Sequence, residues 1–481
     1  MKQILVFLLG CVFLPALLAK ETKKTSLIEI IIDTHNAKHR ISPYINGLGL
    51  AYHSDTDDFI KEFEATKKFR QYGIGALRYP GGHKTSSFHW EEPWYPVYTD
   101  KYSPNLKEKL DKLGLKEEDL PVVNANYMDL DEFLTLANKC GAEPIVGINL
   151  KTGQLYDREK EQTAETIRMF KHIKEKGYKV SYYYLDNEIG NKNHQKIMTI
   201  PEYAGYINRL VPKLREIQPN AKFIVNIMGA PYSPKNMELM RLAGKNYDAV
   251  DSHYYWNWGN ANWDDFLQQR PLSVQSKNPL PITAAIFNSR CKEMGMERMR
   301  LVSLEWNVGP LKEGETLSAY QCALIQSEMI GQFIQSDFLA ATLWPFHWKA
   351  HGKVYPGRVF MNDDHEAVKP VKDIFTMYSK CKGANYIEVQ TSSDDIVAHA
   401  AKFDSGVVIV YILNKSENSN DVALSFTEAI AKKAMMQSLY GDNLSLFHLP
   451  PLQNTEVSVI DKTASLSLAP WSFSMLQLKL K

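Results

Sequence analysis

The chain has 481 residues, enough for one large α/β unit with a smaller module beside it. Lys+Arg number 56 against 55 Asp+Glu, and the net charge of +1 leaves no electrostatic footprint for nucleic acid or an anionic membrane surface. A composition of 44% hydrophobic and 23% charged residues excludes long disorder, collagen-like repeats and a disulfide-dense miniprotein, while 9 Trp and 25 Tyr suit both a large core and clefts that bind sugar faces.

Met1 and Lys2 precede an apolar run from Ile4 to Ala19, and Lys20-Glu21-Thr22-Lys23-Lys24 comes directly after it, the layout of a cleaved export signal over residues 1–19. The run contains Pro15 and is short for a membrane span, and no later segment reaches that length. The protein is therefore expected to be exported, secreted or periplasmic, with no integral membrane span. Lipid anchoring at Cys11, after Leu8-Leu9-Gly10, is a less favoured alternative because the apolar stretch continues past it. The remaining cysteines, Cys140, Cys291, Cys322 and Cys381, form no CxxC pair, which speaks against a metal site and leaves disulfide pairing open.

Residues 20–40 hold the strand-like Leu27–Ile32, which has no evident partner among the α/β segments next to it and is expected to join a sheet at the other end of the chain. Over residues 41–380 short β-branched or aromatic runs alternate with amphipathic stretches of helical period. The strands are predicted at Tyr44–Leu50, Gly75–Tyr79, Glu143–Asn149, Val180–Asp186, Phe223–Met228, Ala249–His253, Arg300–Leu304 and Ala340–Trp344. Helices are predicted at Asp129–Cys140, Thr163–Gly177, Pro201–Gln218, Lys235–Gly244, Ile282–Gly295 and Leu317–Ser336. Eight strands in βα alternation predict a (β/α)8 barrel. Two Trp-, Tyr- and Pro-rich insertions, His83–Pro121 and Trp256–Pro281, come after strand ends, where barrel loops build a binding rim. Residues 381–481 change to alternating strands, Ile396–Lys402, Val407–Leu413, Val422–Phe426 and Ser472–Leu478, that predict an appended β-sandwich.

Two strands end in carboxylates. Tyr182-Tyr183-Tyr184-Leu185 runs into Asp186-Asn187-Glu188 on the fourth barrel strand, and Leu301-Val302-Ser303-Leu304 into Glu305-Trp306-Asn307 on the seventh. Parallel barrel strands all end on one face, so both groups reach the same mouth. Two carboxylates facing one cleft can cleave a glycosidic bond: one protonates the leaving oxygen while the other attacks the anomeric carbon or activates water. The chemistry calls for unequal pKa values, with a Glu in a less polar setting serving as acid and one beside a cation staying ionised. A lone Glu at a strand end is ordinarily a salt-bridged residue, so the inference rests on the pair and its neighbours. Arg78, in Leu77-Arg78-Tyr79-Pro80-Gly81-Gly82, could hold a carboxylate ionised. His253 and Tyr255 end the sixth strand with hydrogen-bonding rings, and Trp344 and Trp348 end the eighth with sugar-stacking ones; Asn149 and Trp306 are further candidate substrate contacts.

On the residues Arg40-Ile41-Ser42-Pro43-Tyr44-Ile45-Asn46-Gly47, Arg78 to Gly82 with Phe88-His89-Trp90, Asp131-Glu132-Phe133-Leu134, Asn187-Glu188, His253-Tyr254-Tyr255 and Glu305-Trp306-Asn307, the chain resembles retaining glycoside hydrolases with catalytic glutamates on strands four and seven. The pattern is most similar to the α-L-arabinofuranosidase family. The resemblance implies Glu188 as acid/base, Glu305 as nucleophile, Asn187 as partner of a sugar hydroxyl, and Arg78 with Tyr254 or Tyr255 as support for the nucleophile. It also implies a neutral carbohydrate substrate and no metal or organic cofactor. Where the family usually has Gly before Asn-Glu and an acid before Glu-Trp-Asn, this chain has Asp186 and Leu304. Asp186 could raise the pKa of Glu188 by like-charge repulsion, or point into a loop and do nothing. Barrels of the agarase or porphyranase type, acting on β-linked galactans, share the Arg-Tyr-Pro-Gly-Gly and Asn-Glu features and form the near alternative. Outside that class stand a non-catalytic carbohydrate-binding protein and a transglycosylase. No HExxH, phosphate loop or GxSxG elbow is present, and Gly73-Ile74-Gly75 lacks the context of a dinucleotide site.

Overall fold

The computed structural model describes residues 27–190, 198–226, 229–296, 299–347, 357–445 and 450–481. The expected export signal and Cys11 lie outside them. The first strand, β1 (Ile28–Arg40), precedes β2 (Tyr44–Gly49), β3 (Ala76–Tyr79), β4 (Glu143–Ile148), β5 (Tyr182–Leu185), β6 (Lys222–Asn226), β7 (Ala249–Asp251), β8 (Tyr254–Trp256), β9 (Arg300–Val308) and β10 (Ala340–Leu343). Strands β2 to β7, β9 and β10 pair in parallel, and the β10–β2 and β10–β9 pairings close the eight-stranded barrel. The short β8 continues from β7 along the C-terminal half of β9.

The strands are buried on both faces, as enclosed parallel strands must be. Ala76, Ile145, Tyr182, Tyr184, Ile224, Ala249, Val302 and Leu304 fill the interior. The alternate residues Leu77, Val146, Tyr183, Leu185, Phe223, Val225 and Val250 pack outward in the main core. On β9 the alternation breaks. The pairing of β10 with β9 skips a residue between Ala341↔Ser303 and Leu343↔Trp306, a bulge that leaves the Leu304 carbonyl to Arg78 (3.0 Å) and Thr342 (2.6 Å). Across the bulge the inward phase passes from Val302 and Leu304 to Glu305, and Trp306 turns outward. The same strand continues four residues past its expected end.

The remaining strands are β11 (Asn385–Thr391), β12 (Ile396–Lys402), β13 (Val407–Asn414), β14 (Asn420–Phe426), β15 (Lys433–Leu439), β16 (Gln453–Ile460), β17 (Thr463–Leu468) and β18 (Ser472–Lys479). They form a second, mostly antiparallel sheet that closes on itself through β1, which lies antiparallel to β11 and parallel to β14. Its own core holds Ile30, Ile32, Val408, Val410, Leu424 and Leu476. The N-terminal strand is thus part of the C-terminal sheet, and it extends to Arg40 because His39 and Arg40 still pair with Tyr386 and Asn385.

The helix Ala319–Gln335 is buried along almost its whole circumference, between the barrel and the second sheet. At Gly331 a Cβ would lie 2.2 Å from the His399 ring of β12, so only glycine permits this approach. Beside it Glu328, 1% exposed, accepts from Arg270 (2.5 Å) of the second insertion and faces His399 (3.2 Å). One buried carboxylate therefore joins the rim, the helix layer and the second sheet. The helix Lys369–Tyr378 has no counterpart among the predicted elements. Among the described residues no helix is long and apolar enough to cross a membrane, and Cys140, Cys291, Cys322 and Cys381 are buried free thiols.

Candidate active site

The carboxylates of Glu188 and Glu305 meet at the C-terminal mouth of the barrel. β5 ends at Leu185, and the chain leaves it through Asp186 (φ 65°) and Glu188 (φ 46°), a left-handed exit that turns the Glu188 side chain across the mouth. The Glu188 N–H donates to the Asn226 side-chain oxygen at the end of β6. The bulge in β9 aims Glu305 at the same point. An oxygen of each carboxylate and a ring nitrogen of His253 lie within 4.8 Å of one another.

Glu305 is held by donors that keep their protons. Arg78, fully buried at the inward position of β3, donates from Nη1 to Oε1 (2.8 Å), and the Tyr255 hydroxyl donates to Oε2 (2.9 Å). The guanidinium also donates to Asn187 Oδ1 (2.5 Å) and lies 4.5 Å from the centre of the Tyr184 ring. Gly82 gives Glu305 its room, since a Cβ there would stand 2.5 Å from Oε1. Burial resists ionisation of Glu305, but His253 and Arg78 outweigh it and hold the carboxyl below the ordinary glutamate range.

Glu188 faces imidazoles instead. His253 Nδ1 lies 2.7 Å from Oε1 and His83 Nε2 3.1 Å from Oε2. The other nitrogen of His253 lies 3.1 Å from Asp251, so both ring nitrogens face carboxylates, which an imidazole satisfies fully only as the doubly protonated cation. Burial opposes that charge, yet Glu305 and Asp251 raise the His253 pKa well above its ordinary value. Burial also opposes ionisation of Glu188, and hydrogen bonds from His253 and His83 overcome it, bringing its carboxyl below the ordinary range as well. Both carboxyls are thus drawn below the ordinary glutamate range and His253 above the ordinary histidine range, and the three groups titrate together across the 2.7 Å contact between His253 and Glu188.

Among the other residues predicted for the site, Asn187 and Trp344 lie beside the two carboxylates. Asn187 links Arg78 to His83 (3.3 Å), and Trp344 packs with Ala51 and Tyr255 over the Gly81–Gly82 turn. Lys84, 3% exposed, lies 5.1 Å from the Trp344 ring; burial lowers its pKa to about 8, partly offset by Glu305 and Asp55. Two rings stand exposed on the insertions, Tyr98 (53%) and Trp258 (51%), the latter edge-on to Tyr255 at 4.9 Å.

Trp306 and Asn149 are corrections. Trp306 is fully buried in the helix layer, stacked on Phe375 (6.1 Å) and edge-on to Phe333 (5.4 Å), because the bulge reverses the strand phase. The Asn149 amide donates to Thr152 (2.8 Å) and to the Phe88 carbonyl (3.2 Å), and its oxygen accepts the Thr152 N–H (3.1 Å), so it folds a loop. Trp348 lies outside the described residues. Asp186 points into loops, as in the second of its two alternatives, but is not idle there. His83, Asn226 and Asp251 were not predicted as site residues; a polar group directly after the Pro-Gly-Gly turn, or ending an apolar strand, is the signal that marks them.

Glu188, His253 and Glu305 are spaced as three ligands of a metal ion could be. Their atoms are engaged otherwise: each oxygen of both carboxylates faces a donor from Arg78, Tyr255, His253 or His83, two of them permanent N–H or O–H groups, an environment made for anions and proton transfer.

No family model matches the chain. It is 26% identical over 180 residues to the probable α-L-arabinofuranosidase C of Aspergillus fumigatus, 36% of this chain and 33% of that protein. It is 25% identical over 315 residues to the corresponding protein of Aspergillus clavatus, 60% of this chain and 57% of that one. The intracellular exo-α-(1→5)-L-arabinofuranosidase of Streptomyces lividans is 24% identical over 257 residues, 50% of this chain and 36% of that enzyme. The chain thus spans about a third to somewhat over half of the length of these curated relatives. Among solved structures, the α-L-arabinofuranosidase of Thermotoga maritima in complex with arabinose superposes with a TM-score of 0.70 at 16% identity, over 94% of this chain and 100% of that one. The fold is that of the α-L-arabinofuranosidases. A Paenibacillus polymyxa xyloglucanase of glycoside hydrolase family 44 shares it more distantly, with a TM-score of 0.64 at 14% identity over 94% and 99% of the two chains.

Proposed function

We propose that the chain is a retaining glycoside hydrolase that removes arabinofuranosyl units from a neutral polysaccharide or oligosaccharide. The observation that carries this reading is that both carboxylates reach one mouth, with an oxygen of each within 4.8 Å of an oxygen of the other. Double displacement uses carboxyls ~5–5.5 Å apart, whereas inversion needs ~6.5–9.5 Å to fit a water between them. The names of the relatives on both comparisons support the sugar.

In the first step a Glu305 oxygen bonds to the anomeric carbon while the bond to the leaving oxygen breaks, and that oxygen takes a proton from Glu188. Glu188 receives this proton from His253 across their 2.7 Å contact. In the second step Glu188 removes a proton from water, whose oxygen displaces Glu305 and frees the sugar. The division of labour comes from the donors: Arg78 and Tyr255 keep their protons and preserve an anionic nucleophile, whereas the imidazoles around Glu188 can give theirs up. Asn187, fixed by Arg78, would meet the hydroxyl next to the anomeric carbon. We also propose export, which the apolar run over Ile4–Ala19 supports.

The test is hydrolysis of 4-nitrophenyl α-L-arabinofuranoside, arabinan, arabinoxylan and agarose, with the anomer first released read by NMR. Arabinose released with retention is expected; E305Q on every substrate and E188Q on arabinan and arabinoxylan should lose at least about a hundredfold in turnover while staying folded. Inversion, or undiminished rates in either variant on those substrates, would refute the mechanism. Turnover of agarose alone would replace the sugar by a galactan, and tight binding without turnover would make the chain a carbohydrate-binding protein.

A further inference from the structure

We infer that Asp186 is a positioning residue that sets the exit of Glu188 from β5 and the placement of its partner His83; this rests on the reading of Glu188 as acid/base. Asp186 is fully buried and stands at φ 65°, a left-handed conformation that glycine adopts freely and a side chain adopts at some cost. The side chain offsets that cost through its contacts. Oδ2 accepts the backbone N–H groups of Leu150 (2.8 Å) and Lys151 (2.7 Å), just beyond β4. Oδ1 accepts the Ser86 hydroxyl (2.5 Å), in the insertion after β3, and the N–H of Asn187 (2.7 Å). Four donors occupy the four lone-pair directions of one carboxylate. The Asp186 N–H donates in turn to the Ile148 carbonyl at the end of β4 (2.9 Å).

A single residue therefore ties the loops that come after β3, β4 and β5. Ser86 belongs to the 3-10 turn His83–Ser87, so the bond that fixes Ser86 also fixes the turn from which His83 reaches Glu188 (3.1 Å). The same turn is pinned through Thr85, which bonds the Gly81 carbonyl and the Tyr184 hydroxyl, each at 2.6 Å. On the β4 side, the Thr152 hydroxyl bonds Asp100 of the insertion, so the two loops that Asp186 gathers are also bonded to each other. Asp186 touches neither catalytic carboxylate. It acts through the direction in which the backbone presents Asn187 and Glu188. Loss of that direction would fall first on protonation of the leaving group, since Glu305 is held by Arg78 and Tyr255, neither of them a donor to Asp186.

In D186N the amide nitrogen must replace one of the acceptor oxygens. The Ser86 hydroxyl can reverse to accept from it, but the N–H groups of Leu150, Lys151 and Asn187 cannot, so at least the Asn187 N–H, at the start of the exit that carries Glu188, loses its acceptor. S86A removes only the donor from the loop after β3. The experiment compares kcat/KM of the full chain on an arabino-oligosaccharide, whose departing sugar must be protonated, with that on 4-nitrophenyl α-L-arabinofuranoside, whose leaving group departs with little acid assistance.

The expected result for D186N is a loss of about tenfold to a hundredfold on the oligosaccharide and less than about threefold on the aryl substrate. S86A should show the same selectivity at smaller size, which keeps the test available if D186N folds poorly. Equal losses on both substrates, or none in either variant, would overturn the role of Asp186. E188Q serves as the reference. If it loses the oligosaccharide selectively while D186N does not, Asp186 alone is misassigned; if E188Q retains wild-type rates on both substrates, the reading of Glu188 fails first.

Discussion

Gly82→Ala tests the site without changing a charge or removing a hydrogen-bonding group. The added Cβ would stand 2.5 Å from Glu305 Oε1, and ordinary contact begins at 3.4 Å, so the carboxylate must retreat by about 0.9 Å. Oε1 is the atom that Arg78 holds at 2.8 Å, and the retreat stretches or re-aims that bond. An attacking atom displaced by about 1 Å from its productive position costs about a hundredfold in rate, or about 2.7 kcal/mol of transition-state stabilisation. The fold has less at stake, because the atom that yields is the end of a flexible side chain and no backbone or core group is pressed. The weakened charge-assisted hydrogen bond is worth about 1.5–3 kcal/mol at most, a shift of a few degrees in Tm for a chain of this size. The assay is kcat/KM on 4-nitrophenyl α-L-arabinofuranoside beside a thermal melt. A G82A variant within about threefold of wild-type kcat/KM would refute the placement of Glu305 beside this turn as the attacking group, as would a loss of rate fully accounted for by unfolding.

Tyr255→Phe removes the hydroxyl that donates to Glu305 Oε2 at 2.9 Å. The anion loses a donor, so the acid limb of the kcat/KM profile, which in the wild type should lie below the ordinary glutamate value of 4.5, should move to higher pH; an unmoved limb would mean that Glu305 does not set it. The alkaline limb reports loss of the proton shared by His253 and Glu188 and should lie above 6.5, the ordinary histidine value. Glu328→Gln leaves Arg270, half-buried, opposite a neutral amide and should cost about 1.5–3 kcal/mol at pH 7, read by denaturant unfolding. Burial resists ionisation of Glu328, but Arg270 and His399 lower its pKa to about 2, so its stabilisation is complete above 4.5 and is lost as pH falls through 2. The difference between wild type and E328Q should narrow over that interval; a constant difference would show that packing, not charge, holds the junction.

The barrel was legible because enclosed parallel strands leave a strong trace: β5 reads Tyr-Tyr-Tyr-Leu, buried throughout, and stops at the first charged residue. The pairing of Glu188 with Glu305 was legible for the same reason, since each carboxylate ends such a run. What escaped depends on backbone geometry that side-chain pattern does not encode. Strict alternation through Val302 and Leu304 would carry Trp306 inward and Glu305 outward, and only the bulge reverses them. Chemistry requires Glu305 inward, so the sequence contained a conflict between period and function that a bulge resolves, with Trp306 as the residue it displaces into the helix layer. Asp186 presents the same situation at the end of β5. Residue type alone allowed a carboxylate that raises the pKa of Glu188 or an idle one in a loop. The left-handed φ decides between them, because it accompanies a side chain turned to the loop beyond β4, toward the N–H groups of Leu150 and Lys151, while the next two residues cross the mouth. A glycine could make that turn, but it could not draw Ser86 and the His83 turn to the same point, and the aim of the acid would then be left to loops with no common anchor.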